Sequence, residues 1–144
     1  MKVKDFYKST AWLYFSKWVL LNNSKDGKTV KCKTCDREMD LNSKTSCAGH
    51  WIKVFDSSSN THFATAFEEH NCWPQCYYCN KILNGRPDKM ECLIRNEFGD
   101  AEADRLLTLK KQLLKLDKLT LDIFTEKYKA LFKHEAELKG NPWK

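Results

Sequence analysis

Four cysteines stand in two C-x-x-C pairs, Cys32 with Cys35 and Cys76 with Cys79. Two residues between the ligands let one tight turn present both sulfurs to the same ion. The two pairs therefore predict a tetrahedral four-thiolate zinc site. Such a closed site leaves no coordination position for water, so we expect this zinc to be structural rather than catalytic.

A histidine and an asparagine lie between the two pairs, at His50 and Asn71. The paired cysteines would hold them near one another, and a histidine with a near-neutral pKa is a natural base for deprotonating water. Gly49 precedes the histidine and is expected to let a phosphate group approach the backbone closely. A plainer interpretation is a surface or hydrogen-bonded structural histidine, and the residues alone leave both open.

These segments together resemble the zinc-stapled form of the ββα-metal signature of HNH endonucleases. The similarity is closer to the phage recombination family called NinG or Rap, whose members carry an A-G-H segment and an N-x-x-x-Q-C-x-x-C-N segment. Here those segments are Ala48-Gly49-His50 and the run from Asn71 to Asn80. The resemblance extends to the aromatic N-terminal helix, to residues 91–107 and to the last helix.

The resemblance implies a structure-specific DNA endonuclease that acts on branched recombination intermediates such as Holliday junctions and displacement loops. His50 would be the general base, and Asn71 would brace the loop and orient His50. Asn80 would be the helix ligand of a catalytic Mg²⁺ or Mn²⁺, to which Asn84 could contribute directly or through water. Two alternatives stay open: a non-catalytic zinc-dependent nucleic-acid-binding protein in recombination, and a sequence-specific HNH nuclease.

The chain departs from the wider HNH pattern at two positions. Many HNH enzymes have an acidic residue or histidine just before the base, where this chain has Gly49, and the helix ligand that is often histidine is Asn80. Neutral amide ligands should hold the cation loosely. A further carboxylate is therefore expected, with Asp56, Glu68 and Glu69 as candidates.

The net charge of +6 is concentrated at the N-terminus, because residues 1–31 hold seven lysines against two acidic residues. Residues 32–86 hold six basic and six acidic residues. A basic flank beside a neutral centre suits a polyanionic partner such as DNA. The basic residues nearest the predicted site, and thus the expected DNA contacts, are Lys44, Lys53, Lys81 and Arg86.

With 144 residues and 16.9 kDa, the chain suits one compact domain or a small core with helical extensions. Its seven cysteines are an odd number, which favours zinc in a reducing cytoplasm over a secreted disulfide framework. For a phage protein this would be the cytoplasm of the bacterial host. Cys47, Cys72 and Cys92 are expected to be small buried residues. No apolar run approaches the roughly 20 residues that cross a bilayer, so no membrane partner is expected.

The pattern of residues predicts an α+β fold, and the resemblance implies a small ββα-metal, HNH-like core stapled by the four-cysteine zinc site. The three segments are a basic, aromatic N-terminal helix and turn (1–31), the zinc-stapled core (32–87) and a helical region (88–144). Helices are predicted over 5–21 and 88–98, with Gly99 closing the second. A β-hairpin is predicted within 39–55, and a loop over 56–60. A helix after the second cysteine pair should carry Asn80 and Asn84 on one face.

Two further helices are predicted to form a C-terminal helical hairpin. Leucines spaced by three and four residues mark the first, and Thr120 is the expected N-cap of the second, with a hydrophobic staple between Leu119 and Phe124. The leucine stripe has two interpretations, packing within the domain, which we favour, or the seam of a homodimer that makes two coordinated nicks. The leucines are Leu106, Leu109, Leu113 and Leu116, and the core side of the last helix is Leu121, Phe124, Tyr128 and Leu131.

Overall fold

The computed structural model describes residues 1–58 and 60–143 and has a mixed α+β architecture with two small antiparallel sheets. Ser59, in the predicted 56–60 loop, and Lys144, in the predicted 88–144 region, lie outside the described residues. The helices are α1 (Val3–Lys8), α2 (Thr10–Asn22), α3 (Pro87–Phe98), α4 (Asp100–Lys110) and α5 (Lys118–Lys139). The strands are β1 (Thr29–Lys31), β2 (Glu38–Asp40), β3 (Ser46–His50) and β4 (Cys72–Cys76), and short helical turns cover Phe63–Thr65, Glu69–Asn71 and Tyr78–Ile82.

The N-terminal helix is broken at Ser9, so the single helix predicted over 5–21 is two helices. The Ser9 hydroxyl donates to the carbonyl of Phe6 at 2.7 Å and accepts from the Trp12 backbone N–H at 3.2 Å. Serine offers the backbone these local hydrogen bonds in place of helix continuation. The break ends α1 and caps α2, which buries Phe15 and Val19 against the rest of the protein.

The first sheet is a hairpin that presents the first cysteine pair. Strands β1 and β2 align Val30 with Met39, and both side chains are buried. Beyond the strands, the Cys32 N–H donates to the carbonyl of Arg37 at 2.8 Å, and the Asp36 N–H donates to the carbonyl of Cys32 at 2.9 Å. The tip between the strands therefore forms the tight turn that the C-x-x-C spacing predicts.

The second sheet pairs β3 with β4 rather than with a neighbouring strand. Ser46 lies opposite Cys76, and His50 lies opposite Cys72. The β-hairpin predicted within 39–55 is therefore wrong, because the partner of β3 comes after residues 51–71. Trp51, Ile52 and Val54 gave that segment a strand-like composition, but they bury the connecting segment in the core.

The helical turn after β4 is short and has π-helical geometry. It ends at Ile82, and the next turn places Asn84, Gly85 and Arg86 at φ values of 56°, 83° and 48°. Asparagine and glycine tolerate this left-handed conformation well. Asn84 thus lies beyond the helix, and the prediction that it shares a helix face with Asn80 is wrong.

The predicted leucine stripe does not form one helix face. Helix α3 ends before Gly99 at φ 91°, as predicted, but α4 ends at Lys110, so Leu113 and Leu116 follow it in a connecting segment. Leu106 packs against α3 residues, Leu116 joins a different cluster and Leu113 is exposed. The interpretation of these leucines as a continuous dimer seam is therefore wrong.

Helix α5 begins at Lys118, because the Asp117 side chain accepts from the Thr120 N–H at 2.8 Å. The predicted Thr120 cap is wrong, as is the staple, since Leu119 is exposed. The core side of the helix is confirmed, with Tyr128 buried. Its other members that pack against the core are Leu121, Phe124 and Leu131. Helix α5 packs along α2, and α4 packs against α3, so the predicted hairpin of α4 with α5 is also wrong.

One aromatic cluster joins all three predicted sequence segments. Phe15 lies 4.7 Å from Tyr128 between ring centroids, and Phe67 lies 5.4 Å from Phe15. Because such ring pairs bury much apolar surface, the segment 51–71 is held between α2 and α5. None of the helices in the described residues is both long and apolar enough to span a bilayer.

Candidate active site

The four cysteines of the two C-x-x-C pairs meet in one cluster, as predicted. Their sulfurs all lie within 4.8 Å of one another, and Cys35 Sγ is 3.8 Å from Cys76 Sγ. The β1–β2 tip supplies one pair, while the end of β4 and the following turn supply the other. This cluster could hold a metal ion such as zinc, which takes four thiolates at about 2.3 Å in a tetrahedral arrangement.

The thiols of the cluster differ in how readily they ionise. Burial opposes ionisation of Cys32, but hydrogen bonds from neighbouring groups, first the backbone of Cys76, lower its pKa to about 6. Desolvation of its sulfur beside the cluster and the neighbouring sulfurs raise the pKa of Cys35 to about 12, although the residue as a whole is exposed. Four thiolates this close repel one another, and a divalent cation between them removes that penalty.

Arg86 supports the cysteine cluster from outside. Its Nη1 donates to the carbonyl of Thr34 at 3.1 Å and lies 4.0 Å from Cys79 Sγ. The guanidinium thus joins the two cysteine-bearing turns and places a positive charge beside a thiolate. This contact accounts for the position of a residue that was predicted to contact DNA, and the DNA contact stays a prediction.

His50 ends β3, and its two ring nitrogens have different surroundings. The side chain is 8% exposed, its Nε2 is 2.9 Å from the carbonyl oxygen of Ala66, and its ring stacks on Trp12 at 5.2 Å. A carbonyl only accepts, so Nε2 carries the hydrogen and Nδ1 has a free lone pair. Burial lowers the His50 pKa to about 4, against the opposing effect of the Ala66 bond. The ring is therefore neutral at pH 7.

Asn71 braces the segment that follows His50. It is 0% exposed; its Nδ2 donates to the carbonyls of Ile52 and Thr65 at 3.0 Å, and its Oδ1 accepts from the Ile52 N–H at 2.8 Å. Its own carbonyl accepts from the Trp51 N–H at 2.9 Å. These bonds give the predicted bracing role a structural basis. They reach the residues that follow His50, so Asn71 positions His50 through its chain neighbours.

His50 borders an open pocket of about 450 Å³. Asn80, Asn84, Lys53 and Lys81 line the same pocket, so β3, the turn after β4 and the segment after His50 all contribute. Within the described part of the chain, no aspartate or glutamate is among the lining residues. The pocket therefore combines a neutral imidazole with amide oxygens and positive charge, which suits a phosphate group.

The two asparagines of the pocket are differently engaged. Asn80 is half-buried, and its Oδ1 lies 3.0 Å from the point where a Cβ on residue 49 would be. The Oδ1 of Asn84 accepts a hydrogen bond from Lys53 Nζ. Asn80 therefore offers an oxygen that fits a hard divalent cation. Asn84 would have to give up Lys53 to do so, and its predicted role as a ligand stays a prediction.

Gly49 is covered by another side chain, which sequence reasoning missed. Gln75 Oε1 lies 2.1 Å from the position that a Cβ on residue 49 would take. A phosphate that approached Gly49 from its Cβ side would meet the Gln75 amide, so the expected close approach of a phosphate stays a prediction for the rest of the Gly49 backbone. The available signal was a glutamine in an otherwise apolar strand, directly before a cysteine of the second pair.

The lysines predicted to contact DNA fall into two groups. Lys53 and Lys81 line the pocket, and Lys81 contributes to lowering the Lys53 pKa, after burial. Lys44 is exposed on the turn before β3. Two lysines whose charges repel each other beside His50 form a natural position for a phosphate.

The carboxylates considered as extra cation ligands are directed elsewhere. Asp56 Oδ2 is 2.9 Å from His62 Nε2, and Glu68 Oε1 is 2.9 Å from Arg105 Nη1. Glu69 lines a separate cavity beside α3. None of the three lines the His50 pocket in the described structure, so they are not placed to bind a cation there.

The remaining cysteines differ in burial. Cys72 is buried, as expected, whereas Cys47 is half-buried at the pocket and Cys92 is exposed. The expectation that all three are buried is confirmed for Cys72, met only in part by Cys47 and wrong for Cys92 on α3.

The chain matches no protein-family model, no curated protein and no solved structure.

Proposed function

We propose that this protein is a metal-dependent DNA endonuclease that acts on branched recombination intermediates. The observation that carries the proposal is the state of His50: a neutral imidazole with Nε2 held by the Ala66 carbonyl and Nδ1 unprotonated, at a pocket lined by lysines. A general base needs a free lone pair at neutral pH and a bound substrate within reach.

The order of elements supports an HNH-like core. Antiparallel strands β3 and β4 are followed by the turn Tyr78–Ile82, which carries Asn80, and the four-cysteine cluster closes the unit. This is the strand, strand, helix order that the sequence resemblance implies. The core is small, so a structural zinc would supply much of its stability.

In the proposed reaction, a water at His50 Nδ1 gives up its proton to the imidazole while its oxygen attacks phosphorus. The bond from phosphorus to the 3′ oxygen breaks, this oxygen takes up a proton from solvent, and His50 then returns its proton to solvent. The products carry a 5′-phosphate and a 3′-hydroxyl. Lys53 and Lys81 would hold the phosphate, and Asn80 Oδ1 would hold the cation. A bound Mg²⁺ or Mn²⁺ supplies stabilisation of the charge on the phosphoryl and departing oxygens.

Exposed aromatic residues next in sequence to Cys79 and Asn80 favour a branched substrate. Tyr77 and Tyr78 immediately precede the cysteine and asparagine at the site, and each is 51% exposed. Aromatic rings stack on bases that are not paired, and such bases occur at branch points. Symmetrical resolution of a four-way junction takes two nicks, so a homodimer belongs to the proposal, and a mass measurement in solution tests it.

A second candidate function is non-catalytic binding of branched nucleic acid. The absence of carboxylates among the pocket-lining residues of the described chain favours it, because neutral ligands hold Mg²⁺ weakly. A binder would use the same lysines and the basic N-terminal segment, but it would leave the phosphodiester intact.

One experiment separates these functions. The protein is incubated with a labelled four-way junction or linear duplex, in Mg²⁺, Mn²⁺ or EDTA. We expect nicking near the branch point that requires the divalent ion. The His50→Ala variant should lose it by about 100-fold or more while keeping zinc and junction binding.

The matched control is His134→Ala, since His134 is an exposed histidine on α5, and this variant should nick normally. Junction binding without nicking under every metal condition would instead establish the binder. Cutting of linear duplex at a fixed site would establish a sequence-specific nuclease.

A further inference from the structure

The side-chain oxygen of Gln75 has no hydrogen-bond donor. Gln75 is 0% exposed, and its Oε1 is the buried side-chain oxygen without a partner among the residues that the structure describes. A buried acceptor left without a donor loses the hydrogen bonds it made to water in the unfolded chain. An unexplained group of this kind needs a water, an ion or another partner.

The orientation of the Gln75 amide is fixed by its other end. Its Nε2 donates to the carbonyl of Gly85 at 3.0 Å and to Thr34 Oγ1 at 3.1 Å. Because the Gly85 carbonyl can only accept, the NH₂ group must face it. Rotating the amide would place two oxygens against each other, so Oε1 points away from Gly85 and towards Gly49.

The register of the second sheet explains this placement. Gln75 lies opposite Cys47 on β3, so Gly49 is its diagonal neighbour on the same face of the sheet. The point where a Cβ on residue 49 would lie is 2.1 Å from Gln75 Oε1 and 3.0 Å from Asn80 Oδ1. Two amide oxygens from different elements therefore converge above the bare Cα of Gly49.

Converging oxygens without a donor between them are a typical arrangement for a hard cation. Mg²⁺ and Mn²⁺ prefer oxygen ligands, and Mg²⁺ holds them at about 2.1 Å. Asn80 also lines the His50 pocket, so a cation above Gly49 would lie beside the position proposed for the phosphate.

We infer that Gln75 Oε1 and Asn80 Oδ1 form a two-oxygen binding position for a divalent cation above Gly49, which fills when a DNA phosphate enters the pocket. This inference rests on the proposed function for the source of the phosphate. It adds Gln75 to the site as a ligand from β4 that occupies the place of a side chain on residue 49.

The charges around this cation position explain why binding of the cation should depend on DNA. Gln75 and Asn80 are neutral, and Lys53 and Lys81 line the adjoining pocket. Their positive charge opposes a cation until a phosphodiester supplies negative charge and further oxygen ligands. The protein alone should therefore bind Mn²⁺ weakly, and the protein with DNA should bind it more tightly.

The test uses Mn²⁺ as a paramagnetic probe, with zinc-loaded His50→Ala protein and an intact four-way junction. Small additions of Mn²⁺ should broaden the NMR signals of the Gly49 amide and the Gln75 side-chain NH₂ before those of other residues. Absence of selective broadening at Gly49 would overturn the inference, whatever any further variant does.

Variants then assign the ligand. In the same background, Gln75→Met removes Oε1 and should weaken Mn²⁺ binding by about tenfold or more. The matched control is Thr34→Val, which removes one partner of Nε2 but leaves Oε1 in place, and it should keep the affinity. Gln75→Glu adds a charge to the ligand oxygen and should raise the Mn²⁺ affinity without DNA by about tenfold or more.

The outcomes distinguish this inference from the proposed function. If Asn80→Ala abolishes Mn²⁺ binding and Gln75→Met does not, Gln75 is no ligand, while the nuclease proposal stands. If both variants lose stability with Mn²⁺ affinity unchanged, the two amides are hydrogen-bonded to each other and the inference fails. If the wild-type protein never nicks DNA but Gln75→Glu gains Mn²⁺ affinity, the cation position stands and the nuclease proposal fails.

Discussion

The two ring nitrogens of His50 are held in different chemical states by one hydrogen bond. The Ala66 carbonyl fixes the hydrogen on Nε2, which leaves the lone pair of Nδ1 as the acceptor of the ring. Stacking on Trp12 and burial keep water from the rest of the ring, and this disfavours the charged form. A histidine held in this way costs the folded protein stability in acid, because the buried ring resists a proton that the unfolded chain accepts.

The pH dependence of stability should reveal this cost. The His50 pKa is lowered from 6.5 to about 4 in the folded state, so between these values the unfolded state binds more protons. Stability contributed by the neutral ring is complete above pH 6.5 and falls with decreasing pH, by about 1.4 kcal/mol per unit. We expect urea unfolding at pH 7 and 5.5 to show a smaller advantage of wild type over His50→Gln at the lower pH.

Zinc loss in acid affects both proteins equally, so the difference between them isolates the histidine. A constant difference across this range would show that the ring titrates near its ordinary pKa. NMR should in addition show the neutral ring, protonated at Nε2, at pH 5.5.

The residues of the site differ in how far sequence could predict them. The cysteine cluster was predictable because each C-x-x-C pair is positioned by its own turn, independently of the rest of the fold. The place of Gln75 in the site was not predictable, because its contact with Gly49 depends on a strand register between segments 26 positions apart in sequence. The prediction that Asn84 lies on a helix was wrong for a local reason, since that helix ends at Ile82.

At the scale of elements, the segment 51–71 joins β3 to β4 and carries the Ala66 carbonyl to His50. Asn71 closes this segment by bonding Ile52 and Thr65. Its amide takes the place of backbone pairing that an irregular segment lacks. The position of His50 therefore depends on one buried asparagine whose side chain bonds to Ile52 and Thr65.

Replacement of Asn71 should destabilise the folded protein. Asn71→Ala leaves the Ile52 N–H and two carbonyls without their partner, so we expect the free energy of unfolding to fall by roughly 3 kcal/mol. Urea unfolding of the zinc-loaded protein measures it. Asn42→Ala, at an exposed asparagine, is the control and should change stability by less than about 0.5 kcal/mol. Equal effects of the two substitutions would contradict the bracing role.

The errors at this scale have a common physical origin. Helix positions with a strong local signal were predicted well, such as the end of α3 at Gly99. The partners of the strands and helices were not predicted well. Strand β3 pairs with β4 across a long connection, and α5 packs on α2 instead of α4. Periodicity shows which face of an element is apolar, but it does not show which other element covers that face.

At the scale of the molecule, the aromatic cluster and the cysteine cluster stabilise different ends of β4. Tyr128 on α5 donates its hydroxyl hydrogen to the Phe67 carbonyl at 2.7 Å, which ties the last helix to the segment that bears Ala66. The cysteine cluster fixes the other end of β4 at Cys76. The site lies between these two supports, so both should be required for its geometry.

Removing one sulfur tests the contribution of the cysteine cluster to the whole fold. Cys35→Ser replaces a ligand with a poorer one, and metal-binding free energy in small zinc proteins, about 10–16 kcal/mol in zinc-finger peptides, is folding free energy. We expect the free energy of unfolding to fall by about 3 kcal/mol or more, with less bound zinc. Cys92→Ser is a matched control, because both cysteines are exposed but only Cys35 belongs to the cluster. Thermal unfolding with and without a chelator measures both variants. A Cys35→Ser protein with unchanged zinc content and melting temperature would contradict a structural metal site here, and with it the support on which the position of β4 depends.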